Sequence, residues 1–367
     1  MKSRNPCLYR SLILFHLFRK KGLGVKIHFG IKKNISPFEG HSWLSLNGKH
    51  FLEKFLPSLI EHTSFAELIV ADNCSTDDSL SFLKENFPQI RIIELAQNYG
   101  FAKGYNEALK QVNSDVYVLL NSDVEVTENW LQPCLEILKK DNDVAACQPK
   151  IKAFHQKTHF EYAGAAGGFM DKYGYPFCRG RIFETLEEDK GQYNDEIEIF
   201  WATGACLVVR ADVYHQLNGL DPFFFAHMEE IDLCWRIQNT GKKIKYVPQS
   251  TVFHVGGGTL HKSKPQKTFL NFRNNLIMLY KNLPQGKKIG VLLGRLFLDG
   301  LAGIKFLTEG KISHFSAIIK AHFAFYAYVF KNTEKPIKTN AIPYTIYPKS
   351  ILYHYFVKKE KKYSDLS

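Results

Sequence analysis

The stretch SDVYVLLNSDVEV, residues 114–126, decides how the chain is read, because an apolar run ends in Asn121-Ser122-Asp123 and then resumes. Apolar residues in succession, β-branched and aromatic among them, predict a buried strand. An acid at the end of such a strand sits where open α/β sheets bind their ligands. Outward from it the same rhythm recurs. ELIVADN predicts a strand and CSTDDSLSFLKENFP a helix capped by Ser75 or Thr76; IRIIEL predicts a second strand, and NYGFAKGYNEALKQV a glycine-containing loop running into a helix. VTENWLQPCLEILKK reads as a helix ahead of the strand VAACQPKI, GACLVVR as a further strand, AHMEEIDLCWRIQNTG as a helix with a glycine stop, and KIKYVPQSTVFHVGGG as a strand entering a glycine turn. Strands alternating with helices predict an α/β fold, a mostly parallel sheet with helices on both faces. Residues 155–200, rich in Gly, Tyr and acids without clear periodicity, predict a long loop or lid.

At 367 residues the chain has room for one large domain with additions or for two ordinary ones, and 45% hydrophobic with 23% charged residues excludes a disordered chain. The net charge of +12 is unevenly spread: +9 over residues 1–50, −11 over 51–260 and +14 over 261–367. An acidic middle between basic ends suits a catalytic domain that uses a metal cation and docks on an anionic surface, membrane or nucleic acid. No nucleic-acid recognition motif accompanies the charge, so nucleic acid is not an expected partner. Seven scattered cysteines without a C-x-x-C pair read as reduced residues of a cytosolic protein and argue against zinc. The apolar run SLILFHLF is only eight residues, contains His16 and lacks a small-residue cleavage site, so a signal peptide is not expected, and no apolar stretch approaches the roughly 20 residues of a membrane span. Beyond Lys262, FLNFRNNLIMLYKNLP and IGVLLGRLFLDGLAGIKFLTEG are apolar at helical spacing but interrupted by Arg295, Asp299 and Lys305. Two readings stand: interfacial helices with basic residues toward lipid phosphates, or a helical extension packed on the catalytic domain.

The residues that carry chemistry fall in clusters. Asp72, at a strand end, is placed to accept from a base N–H or a ribose hydroxyl, or else to cap a helix. The loop at 98–106, with Gly100 and Gly104, lets backbone approach a nucleotide closely, or forms a turn. Asp123 stands where a divalent ion bridging a diphosphate belongs, and His254, ahead of three glycines, is placed to complete that ion's ligands. Glu229 and Glu230 offer a general base at a helix start, or simply face the positive end of the helix dipole.

In order and spacing, VADNCSTDDS, NYGFAKGYN, LLNSDVE, MEEIDLCWR and FHVGGGT resemble the family 2 glycosyltransferases, in particular their rhamnosyltransferase-like branch, from about Asn47 to about Pro284. The resemblance implies a GT-A, Rossmann-like fold with a C-terminal helical extension. It also implies transfer of a sugar, possibly rhamnose, from a dTDP- or UDP-sugar to a lipid-linked or polysaccharide acceptor in cell-envelope glycan synthesis. That transfer would be a Mg2+- or Mn2+-dependent inverting displacement at the cytoplasmic face of the membrane, the protein being peripheral there. By the same resemblance Asp72 reads the nucleobase, and Asn47, Asn98, Gly100, Lys103, Asn121 and Ser122 line the nucleotide-sugar pocket. Arg273 in NFRNN reaches the diphosphate or the lid, and Trp201 and Gly204 lie by the acceptor. Asp123 and His254 hold the metal, Asn121 standing where the family's first acid stands. The base is Glu230 by position, with Glu229 as second choice, and Asp232 is structural. The expected divisions are 1–46, 47–265 for the transferase domain and 266–367 for a basic, membrane-associating helical region.

The start of the chain resembles something else. NPCLYRSLILFHLFRKKGLGVKIHFGIKK followed by FEGHSWLSLNGK is similar to the C-terminal part of the lasso-peptide B proteins, transglutaminase-like cysteine proteases, over residues 5–49. Cys7 and His41 match that family's catalytic pair, which makes a cysteine peptidase or maturation protein the alternative. An inactive sugar-nucleotide-binding scaffold is a further rival. At the seam HSWLSL alternates apolar and polar residues and fits the first strand of the sheet.

Overall fold

The computed structural model describes residues 48–256, 264–331 and 342–366, together with the backbone of two short strands, His28–Phe29 and Ser42–Trp43. These two pair antiparallel with each other in a two-stranded sheet of their own, so Ser42–Trp43, within the stretch expected to form the first strand of the main sheet, joins His28–Phe29 instead. Cys7, His41 and Asn47 lie outside the described residues.

Helix α1 (Gly48–His62) leads into β1 (Ile69–Asp72), α2 (Ser79–Asn86), β2 (Arg91–Glu94) and α3 (Gly100–Leu109). β1 and β2 pair in parallel, as a strand–helix–strand unit must. α2 begins later than predicted: Asp78, and neither Ser75 nor Thr76, precedes its first turn. The Ser75 amide instead donates to the Asp72 carboxylate at 3.1 Å, which closes a turn ahead of the helix. The chain continues through β3 (Val116–Leu120), β4 (Val124–Val126), α4 (Gln132–Lys140), β5 (Val144–Ala153) and β6 (Gln156–Phe160). The single strand predicted over 114–126 is therefore two, broken at 121–123.

Residues 155–200 are built of strands, against the expectation of an open loop. β7 (Gly168–Asp171), β8 (Pro176–Cys178), β9 (Arg181–Ile182) and β10 (Thr185–Leu186) form an antiparallel meander, joined through β7 by the parallel strand β14 (Ile346–Tyr347). Strands of two to four residues are too short to show a period. Gly174 (φ 81°) and Gly180 (φ 95°) make the turns between them.

After β11 (Ile197–Glu198) come β12 (Cys206–Arg210), α5 (Ala211–Gln216), α6 (Glu229–Asn239) and β13 (Lys243–His254). The main sheet has the order β11-β13-β5-β12-β3, with β4 on β13 and β6 on β5. The α/β architecture is as expected, but this sheet is mixed where a mostly parallel one was predicted. β13 and β5 are parallel, whereas β12 runs antiparallel to both β5 and β3. A crossover helix would return β12 parallel to its neighbours. The chain between β5 and β12 contains only strands, and β12 runs back between β5 and β3. Along β12, Cys206 and Val208 join the apolar cluster around Leu138 of α4, while Leu207 and Val209 join the larger one around Trp235 of α6. Both faces are covered, which is why the segment reads as one apolar run.

Three helices follow: α7 (Pro265–Asn282), α8 (Gln285–Thr308) and α9 (Ile312–Lys331). Among the described residues no helix is long and apolar enough to cross a membrane. α7 is the packed helical extension, with Leu276, Ile277, Met278 and Leu279 in the main core. Arg295 and Asp299 of α8 also turn inward, not toward solvent or lipid phosphates, and form an ion pair at 3.0 Å.

The small sheet meets the main sheet at one tight point. A Cβ on Gly168 would stand 2.2 Å from the Trp201 ring, which is itself buried. Gly168→Ala is expected to lower stability by about 1–3 kcal/mol, the usual result of overpacking, read as a lower urea midpoint at unchanged slope.

Candidate active site

The break at 121–123 positions the first half of the site. Antiparallel pairing sets Val124 of β4 opposite His254 at the end of β13. The adjoining Asp123 carbonyl accepts from Val255 N–H at 3.0 Å, and Asp123 Oδ1 lies 3.2 Å from His254 Nε2. Both side chains are largely buried. On the other side of the ring Glu161 Oε2 lies 3.4 Å from Nδ1, a long ion-pair approach. Glu161 is buried and held by the Ala163 N–H. Burial alone would lower the imidazole pKa, but Asp123 and Glu161 together raise it to about 10. Sequence reading missed Glu161, since it falls in a segment read as loop and nothing local marks it.

A divalent cation fits this arrangement. Asp123 and His254 Nε2 face one another, and a carboxylate behind the distal nitrogen is the partner that orients a metal-bound histidine. Glu161 does not converge with the other two, and among the described residues no three His, Cys, Asp or Glu side chains form a metal cage. A two-ligand site suits Mg2+ or Mn2+, which take their remaining ligands from diphosphate and water.

The second half gathers at the same end of the sheet. Asn121 N–H donates to Ala205 O at 3.0 Å, which sets Gly204 beside the break. A Cβ at Gly204 would meet the Phe101 ring at 3.1 Å and Glu230 Cβ at 3.8 Å, so the predicted acceptor glycine abuts the predicted base. Trp201, predicted beside it, is buried and gives its indole N–H to Phe169 O at 2.9 Å, bracing the small sheet.

Glu229 and Glu230 open α6, and one carboxylate oxygen of each lacks a hydrogen-bond partner. Burial raises the Glu230 pKa to about 7; burial and the adjacent Glu230 drive Glu229 well above the usual carboxylate range. The loop before them holds Phe225, His227 and Met228 at φ of 63°, 70° and 75°, positions that disfavour side chains. Asn274, fully buried on α7, clamps it through contacts of its amide nitrogen with the carbonyls of Phe224, Ala226 and His227 at 2.8–2.9 Å. Arg273 reaches the same loop, at the carbonyls of Phe223 and Phe224. Of NFRNN the sequence singled out Arg273, although a buried Asn amid apolar helical residues was the available signal for Asn274. Asp232 is buried against Arg236 at 2.7 Å, Lys281 at 3.2 Å and Asn282 at 2.8 Å, as its structural reading predicts.

On the donor side Asn73, another residue not anticipated, ties the first two loops. Its Nδ2 lies 3.0 Å from Gly100 O and 3.3 Å from Asn98 Oδ1, and its Oδ1 accepts from Tyr99 N–H at 2.9 Å. Gly100 has φ 76°, and a Cβ there would strike the Phe225 ring at 2.9 Å, so this glycine seats the 225–228 loop. Lys103 Nζ lies 4.6 Å from the centre of the Tyr99 ring. Ser122 sits within the break itself.

Comparison with known proteins matches this geometry to a family. Residues 45–217 match the model of Glycosyl transferase family 2, and residues 1–69 that of the Transglutaminase-like superfamily. An N-acetylglucosaminyl-diphospho-decaprenol L-rhamnosyltransferase of Mycobacterium tuberculosis is 26% identical over 223 residues, 56% of this chain and 72% of that protein. Polypeptide N-acetylgalactosaminyltransferase 10 of Mus musculus is 24% identical over 229 residues, 60% of this chain and 37% of its own length. Among solved structures, S. aureus TarS with UDP-GlcNAc superposes with TM-score 0.51 at 15% identity, covering 76% of this chain and 77% of that one. GalNAc-T7 with UDP, GalNAc and Mn2+ does so with TM-score 0.50 at 16% identity, covering 64% and 46%.

The Glu230 environment carries a testable cost. A carboxyl whose folded pKa is raised stabilises the fold when protonated, and that contribution is lost as pH rises from the unfolded value through about 7. Glu230→Gln is expected to melt above the wild type at pH 8 and to lose that advantage at pH 4, measured as thermal midpoints at both pH values. With the motifs, the geometry and these relatives in agreement, residues 45–217 are a family 2 glycosyltransferase domain of GT-A fold, the chain is a transferase enzyme, and residues 1–69 are similar to the transglutaminase-like superfamily.

Proposed function

We propose that this enzyme transfers a sugar, rhamnose foremost, from a dTDP- or UDP-sugar to a lipid-linked or polysaccharide acceptor at the cytoplasmic face of the membrane. The observation that carries the reading is the 3.2 Å approach of Asp123 to His254 at the sheet end that also holds Gly204 and Glu230. The rhamnosyltransferase relative, whose name states a diphospho-decaprenol acceptor, supports the choice of sugar and acceptor.

In this mechanism Asp123 and His254 Nε2 would hold Mg2+ or Mn2+, which as a Lewis acid offsets charge on the leaving nucleoside diphosphate. Glu161 keeps the His254 ring turned toward Asp123. Glu230 takes the acceptor hydroxyl's proton as that oxygen attacks the sugar C1 from the face opposite the diphosphate, and inversion follows without a covalent intermediate. Burial and the adjacent Glu230 push the Glu229 carboxyl well above the usual carboxylate range, which leaves the base role to Glu230. Asp72, Asn98, Gly100, Lys103, Asn121 and Ser122 border the nucleotide sugar, with Asn73 holding the first two loops together.

The second reading rests on the transglutaminase-like match over residues 1–69 and uses Cys7 and His41 as a peptidase pair. Cys7→Ala separates the two, since it would abolish peptidase action and leave sugar transfer intact.

Calorimetric titration with dTDP-rhamnose, UDP-glucose and UDP-galactose, each with and without Mn2+, is expected to give metal-dependent binding of one donor, lost in Asp123→Ala. Binding of that donor unaffected by Asp123→Ala would overturn the metal assignment. Glu230→Gln is expected to retain donor binding while turnover falls about 10²–10⁴-fold, the range for removing a general base. Wild-type turnover should decline as pH falls through about 7, where the carboxylate is protonated.

A further inference from the structure

Helix α8 is built inside out for a helix facing water. Its buried positions are Lys288, Arg295, Asp299 and Gly303. Arg295 is 2% exposed and Asp299 fully buried; Arg295 also reaches Asn275 of α7 and the Tyr173 carbonyl, and Asp299 meets His322 of α9 at 3.1 Å and the Tyr175 hydroxyl at 3.0 Å. Its outer stripe is Ile289, Leu293, Leu296, Phe297, Ile304 and Leu307, with Ile289 at 72% and Phe297 at 68% exposure. α9 adds Ile312, Phe323 and Phe330, the last at 87%. A water-facing helix buries its apolar stripe and exposes its polar one. The reverse order, with polar groups satisfied inside the protein and large apolar side chains outside, belongs to an apolar solvent.

We infer that the outer face of α8 and α9 inserts in the headgroup–acyl boundary of an anionic lipid leaflet, so that the protein sits in one leaflet without crossing it. Neither helix is long and apolar enough to span. Charge selects lipid over a second copy of the chain. Residues 261–367 carry +14, and between Gln285 and Lys331 the only acid besides buried Asp299 is Glu309, in the connection between the two helices and already paired with Lys305 at 3.1 Å and Lys311 at 2.6 Å. Two such faces would bring like charges together, whereas acidic headgroups neutralise them. This differs from a surface layer held only by lysines: the apolar stripe enters the leaflet, while Arg295 and Asp299 stay within the protein as the brace between α8, α9 and the small sheet. α7 links that brace to the site, since Asn275 meets Arg295 while the neighbouring Asn274 clamps the loop before Glu229. A lipid-linked acceptor would thus be presented to a site fixed near the leaflet. The inference deepens the proposed function but is tested without it.

The test is flotation of the full chain with vesicles of phosphatidylcholine alone or with added phosphatidylglycerol, at low and high salt. The expected result is binding to the anionic vesicles that persists in part at high salt. The double variant Leu293→Glu and Phe297→Glu should bind at least tenfold more weakly, and Phe323→Glu, on the other helix, should also weaken binding. Far-UV circular dichroism and the thermal midpoint of the same variants control for folding without any donor, so either reading can fail alone. No binding by the wild type, or equal binding by all variants, would overturn the inference. So would a detergent-free dimer in sedimentation that Leu293→Glu and Phe297→Glu convert to monomer, since the stripe would then cover a second copy.

Discussion

The pairing of Val124 with His254 is the constraint on which the site depends. β4 is three residues long and would be a marginal strand alone; laid antiparallel on the end of β13 it fixes the turn at 121–123. That turn presents Asp123 to the imidazole, and the same antiparallel logic at β12 and β3 brings Gly204 beside the break. A one-residue slip of β4 would turn Val124 and Val126 out of the core, so burial enforces the register that the chemistry needs.

The acid pair shows the opposite principle, function held against local stability. Two carboxyls with unpartnered oxygens stand at a helix start behind a run of left-handed residues. Neither feature helps folding, and both persist because α7 supplies the Asn274 clamp and the Asp232 contacts of Lys281 and Asn282. The first turn of α6 therefore combines a tightly compensated acid, Asp232, with two that each keep one oxygen unpartnered. Compensation accompanies the acid whose role is structural, and the two carboxyls with an unpartnered oxygen are the ones to which the proposed function assigns the base.

The C-terminal helices extend the same contrast between paired and unpaired groups to the surface. Arg295, Asp299, His322 and Tyr175 satisfy one another in the interior, and the apolar side chains displaced from it cover the outside. In the sequence, Arg295 and Asp299 read as interruptions of an apolar helix, because spacing gives a stripe but not the side on which it lies.

The sequence by itself determined the α/β fold class, the strand ends at Asp72, Asp123 and His254, and the acid pair, since apolar runs and their polar ends are local and each is written in a few adjacent residues. Tertiary structure alone decided the mixed sheet, the small sheet at 168–186, the Asn73 and Asn274 clamps, Glu161 behind His254 and the outward face of α8. Each of these joins groups distant in the chain or turns on which of two faces is buried. Strand order, register across a sheet and the burial of a polar stripe follow from how all the elements share one core, and no window of sequence contains that information.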